Sequence, residues 1–138
     1  MSTTLTDIRT RAAVQLDDIH NLIWPASALD EAARSALAEL SRVSGVALTL
    51  SGLDDAEETT VPDTDVQALI AGVVAFALRF RAVGSVPLPE PHDRNKPAAL
   101  PELVAGAMDV FQSHLDKIRI RYLQESPDHP WSSWDWDG

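Results

Sequence analysis

Residues 66–78 read VQALIAGVVAFAL, and the fold turns on how this run is taken. No polar side chain stands between Gln67 and Arg79, so a helix here is apolar on nearly every side. Surface helices carry one apolar stripe, and a helix apolar all round is covered on most sides. The run Val66–Phe80 falls short of the roughly 20 residues that a membrane span needs. The reading is therefore a central core helix, from about Asp63 to Val83 and ended by Gly84. Gly72 in its middle costs about 1 kcal/mol of helix propensity, but lets a neighbouring helix approach closely.

Helical periods flank this element on both sides. Leu5, Ile8, Ala12, Leu16 and Ile19 alternate three and four apart, which predicts a first helix whose start Thr4 and Asp7 cap as a pair. NLIWP at 21–25 ends it, because Pro25 disfavours helical backbone at Trp24. A second helix begins near Ser27, with the stripe Leu29, Ala33, Ala36, Leu37, Leu40 and Val43 and Gly45 as its C-terminal cap. Asp30 and Glu31 are read as first-turn acids, and Arg42 as a last-turn base. VALTL at 46–50 alternates like a short strand, with an acidic turn-rich loop after it and a possible return at Thr59–Val61. SVPLPEPHDRNKPAALP holds five prolines in 17 residues and is an extended connector. The last helix, about Pro101 to Gln124, carries a narrow stripe of Val104, Ala107 or Met108, Phe111, Leu115, Ile118 and Tyr122.

The expected fold is mainly all-α: a four-helix antiparallel bundle-like domain over residues 1–126, with a short β segment or hairpin in the middle. Its proline-rich connector spans 84–101, and an extended tryptophan-rich tail occupies 127–138.

Composition removes several functional classes. With 11 basic against 21 acidic side chains the net charge is −10, unsuited to gripping phosphates or an anionic membrane. Absence of cysteine rules out disulfides, thiolate nucleophiles and cysteine-ligated zinc. The N-terminal stretch MSTTLTDIRTRAAV lacks the apolar core of a secretory signal, which points to synthesis in a cytoplasm. His20, His92, His114 and His129 are scattered without ligand spacing, and DDAEE at 54–58 lacks the alternating oxygens of a calcium loop. No catalytic residue, metal site or cofactor is expected, and the chain is not read as an enzyme.

Binding is the remaining class. Three of four tryptophans, Trp131, Trp134 and Trp136, fall in the last eight residues, with Asp135 and Asp137 interleaved. Aromatic anchors on a short polar segment suit a peptide that docks on a partner; packing back on its own domain is the plainer alternative. Arg79 and Arg81 end the apolar helix, and Arg119 and Arg121 lie near the end of the last. Dipole compensation explains such cations, and bridges to acidic faces of a neighbouring subunit are the second reading.

Trp24 followed by SALDEAARSALAELS, with Leu29, Ala32, Ala36, Leu37, Glu39, Leu40 and Ser41, resembles the N-terminal part of head–tail connector (adaptor) proteins of long-tailed bacteriophages. VPDTDVQALIAGVVAFALRFRA at 61–82 is similar to the proline-led apolar helix of that family. The resemblance implies a non-catalytic ring subunit in the virion neck, usually one of twelve. Such a ring sits under the portal protein, extends the DNA channel without binding DNA specifically, and receives the next neck or tail protein. It further implies that Trp131, Trp134 and Trp136, with Asp135, meet the portal. Other neck components, a stopper or tail terminator, are mostly β-rich. From a different class, a small cytosolic regulator or inhibitor would use the same tail on a protein target.

Overall fold

The computed structural model describes residues 3–84 and 99–125. Among them four α-helices form: α1 (Leu5–Gln15), α2 (Ala26–Ser44), α3 (Val66–Gly84) and α4 (Ala99–Glu125), with a 3-10 turn at Asp63–Asp65 leading into α3. The all-α class expected from the sequence is the class observed.

α3 is the hub. Ala68, Leu69, Ile70, Val73, Ala75 and Ala77 are buried, and α1, α2 and α4 all pack on it. With its 3-10 lead-in the helix runs 21 residues, Asp63–Val83, so by length and composition it does reach what a membrane span requires. That corrects the expectation that it is too short. The chain's own helices supply the cover instead.

Side-chain contacts give the directions. A Cβ added at Gly72 would lie 2.7 Å from the Ala36 Cβ of α2 and 2.6 Å from the Phe111 ring of α4. At this glycine α2 approaches closely through Ala36 and α4 inserts the tip of the Phe111 ring, so the position needs a residue without a side chain. Phe111 also meets Phe76 edge-on at 5.9 Å between ring centres. Further along, Arg121 of α4 reaches Asp65 at the start of α3, so α4 runs back along α3 in the opposite direction.

α1 starts as expected: Thr4 Oγ1 accepts from the Asp7 amide, and the Asp7 carboxylate accepts from the Thr4 amide. Its end is earlier than NLIWP. Asp17 takes a left-handed conformation at φ 55°, and Ile19, placed on the stripe by spacing, is exposed. α2 starts at Ala26 with Pro25 before it, so Asp30 and Glu31 lie beyond its first turn. Asp30 instead pairs with Arg9 of α1 at 2.6 Å, and Glu31 pairs one turn along α2 with Arg34, which also holds Asp54.

The expected β segment is absent among the described residues, where the one bridge is isolated, between Thr4 and Ser51. Residues 48–51 and 58–60 do lie side by side, but threonine hydroxyls take the place of ladder carbonyls. The Thr49 amide donates to Thr60 Oγ1 at 2.7 Å and the Ser51 amide to Thr59 Oγ1 at 2.9 Å. Only Thr60 N to Thr49 O is a main-chain bond between the two runs. Leu48, Leu50, Leu53 and Val61 from this loop are buried and close one end of the core.

Candidate interaction surface

The four arginines proposed for subunit contacts fall into two places. Arg79 and Arg81 lie near the C-terminal end of α3, and Arg119 and Arg121 near the C-terminal end of α4. Because α4 runs opposite to α3, the pairs are at opposite ends of the helical core.

Arg121 is engaged inside the subunit. Its Nη1 and Nη2 donate to the two Asp65 carboxylate oxygens at 2.9 and 2.8 Å, and its guanidinium lies 4.8 Å from the Tyr122 ring. Asp65 is only 2% exposed, so the guanidinium balances a carboxylate that water cannot reach. The hydrogen bond to Asp65 holds the Arg121 pKa above its ordinary value. Arg81 lies 5.9 Å over the Trp24 ring. Arg79 and Arg119 are exposed, and neither forms an ion pair with a described residue.

Trp24 was legible only as a helix breaker. It is a buried anchor: the indole N–H donates to the Ala77 carbonyl of α3 at 2.7 Å. Asp18 fixes the turn that delivers it, accepting from the Trp24 amide at 2.8 Å, from Leu22 at 2.9 Å and from Ile23 at 3.1 Å. The Trp24 amide above all holds the Asp18 pKa below the usual carboxylate range. Trp131, Trp134, Trp136 and Asp135 lie outside the described residues.

Chemistry-bearing clusters are scarce. Among the described residues no group of three His, Asp or Glu side chains is placed to hold a metal ion. A shallow pocket beside α1, lined by Thr10, Ala13, Val14, Ile19 and Asn21, has Arg9 as its charged group, and Asp30 already occupies that guanidinium.

Uncovered apolar faces are more prominent. Met108, Phe111, Leu115, Ile118 and Tyr122 face the core as the spacing predicts, and Val104 is half-buried. α4 carries a second stripe that sequence reasoning missed: Leu103, Gly106, Val110, Ser113, Lys117 and Ile120, alternating three and four apart. Leu103, Val110 and Ile120 are 55%, 54% and 54% exposed. A Cβ at Gly106 would meet nothing within 4 Å, so this glycine, unlike Gly72, has no packing role inside the subunit. The signal was available as a second heptad spacing, masked by the stronger aromatic stripe. On α3 the least covered line is Gln67, Ala71, Val74, Leu78 and Ala82.

Comparison of the chain with protein-family models, with curated proteins and with solved structures finds no match.

Proposed function

We propose that this chain is a head–tail connector (adaptor) subunit of a long-tailed phage virion, made in the host cytoplasm. Its helical bundle assembles as a ring, of twelve copies by the resemblance. The ring lies beneath the portal protein, extends the DNA channel and offers its far side to the next neck or tail protein. Trp131, Trp134 and Trp136, flanked by Asp135, are the docking residues for the portal. The observation that carries this reading is the second stripe of α4, which the described residues leave exposed while the helices pack a core without it. Leu103, Val110 and Ile120 are its apolar members, aligned on one exposed face with Gly106, Ser113 and Lys117 between them, and such a face suits packing against another chain. The all-helical core favours the adaptor over the β-rich neck components. A net charge of −10 per copy, repeated around a circle, repels DNA phosphates and lets the duplex slide past.

Light scattering across a concentration series, alone and with a portal ring, tests the reading. Ring-sized mass, or a monomer that assembles on the portal, is expected. Deleting residues 127–138 should leave the helical core folded and abolish attachment. A monomer or dimer indifferent to portal refutes the proposal and favours the cytosolic regulator.

A further inference from the structure

α4 keeps an exposed line and α3 a half-buried one, and the two complement each other in shape and charge. The α4 line offers Leu103 and Val110 around the empty space at Gly106. The α3 line offers Ala71, Val74 and Leu78, all half-buried. Setting Val74 against Val110 with the helices opposed brings Leu78 to Gly106, where a backbone without Cβ can receive it.

Charge selects that direction. Exposed Asp63 stands in the turn that leads into α3, and exposed Arg79 in the C-terminal part of the helix. α4 carries Glu102 and Asp109 in its first half, and Lys117 and Arg119 toward its end; Asp116 already accepts from Gln112. Opposed helices place Arg79 beside Glu102, and Asp63 beside Lys117 and Arg119. Helices in the same direction would set acid against acid and base against base, which disfavours them.

Resting on the connector reading, we infer that the second stripe of α4 packs onto the half-buried line of α3 in the next copy of this chain, covering what its own subunit leaves open. Val110 lies on Val74, Leu78 fills the space at Gly106, and Arg79 pairs with Glu102. The contact is head to tail, so it propagates around an assembly instead of stopping at two copies. Its register matches the one within the chain, where Phe111 meets Gly72 and Arg121 meets Asp65. Own and neighbouring α4 helices therefore stand at the same height beside α3. A repeat without axial step closes into a ring; one with a step would give a filament.

The chain has no cysteine, so disulfide trapping has a clean background. V74C and V110C versions of the full chain are made separately, assembled singly or mixed, and oxidised. Linked dimers are expected from the mixture and from neither variant alone. In parallel, R79E should weaken assembly about fivefold, and E102R in the same chain should restore it. Linkage of V110C to itself would mean α4 meets α4 and overturns the pairing. Ring-sized mass without the 74–110 link, or with R79E indistinguishable from the parent, overturns the pairing and leaves the connector reading standing. A chain monomeric with and without portal overturns both.

Discussion

Gly72→Ala separates packing from propensity by sign. In an isolated helix the change stabilises by about 1 kcal/mol. Here the new Cβ would lie 2.6 and 2.8 Å from two Phe111 ring carbons and 2.7 Å from the Ala36 Cβ. Ordinary carbon contacts begin near 3.5 Å, so about 1 Å must open on two sides at once. Ala36 has no rotamer to move, and the Phe111 ring is held edge-on by Phe76. The helices themselves must separate. Overpacking costs about 1–3 kcal/mol; with two neighbours struck at once the upper part of that range, about 2–3 kcal/mol, applies, so the net loss is about 1–2 kcal/mol once propensity is credited. For a chain of this size that lowers Tm by roughly 4–8 °C. Circular dichroism in a urea series should show the midpoint falling with an unchanged slope. Combining Gly72→Ala with Phe111→Leu should cost about 1 kcal/mol less than the two separately, since the leucine withdraws the clashing atoms. Gly106→Ala is the control, with nothing near its Cβ, and should gain up to about 1 kcal/mol. If Gly72→Ala also stabilised, α2 and α4 would not both approach α3 at this point.

Arg121→Met strands the Asp65 carboxylate; with part of the arginine already in solvent the loss should be about 2–3 kcal/mol, and adding Asp65→Asn should recover much of it in the same melts. Trp24→Phe removes the bond to Ala77 and some core volume, for about 2 kcal/mol; a change within error would mean the indole N–H is matched equally well by water. Asp18 has a lowered pKa in the fold, so its contribution is present above the unfolded carboxylate value of about 3.9 and is lost as pH falls through the folded value. Asp18→Asn should therefore lower Tm at pH 7, with parent and variant converging in acid; parallel curves from pH 7 to 2 would contradict this. Assembly should strengthen as salt rises from 20 to about 150 mM, monitored by light scattering, because repulsion between acidic copies is screened first.

What could be read from the sequence follows from how local each cause is. The α3 run announces burial by itself, and the Thr4–Asp7 cap needs only residues three apart. Gly72 was legible as a close approach, though not which helices approach. The misses depend on partners far away in the chain. Asp18 looks like any surface acid until the chain turns and three amides reach it. Arg121 looks like a dipole charge until Asp65, 56 positions earlier, is buried against it. Alternation at 46–50 suggested a strand, but Thr49, Thr59 and Thr60 satisfy the backbone with side-chain oxygens and leave no regular ladder.

The allocation of cations explains why α4 can afford an apolar outer stripe on so acidic a protein. Arg9, Arg34, Arg42 and Arg121 form ion pairs within the subunit, and Arg81 stacks on Trp24. Folding therefore consumes much of the positive charge and leaves acids in excess on the surface. Like-charged copies repel at a distance, which opposes random adhesion of the Leu103–Val110 stripe. In the proposed pairing attraction prevails where that stripe finds a matching apolar line with Arg79 at one end and Asp63 at the other. Apolar area in that pairing supplies the affinity, and the exposed cations Arg79, Lys117 and Arg119 fix the direction in which copies meet.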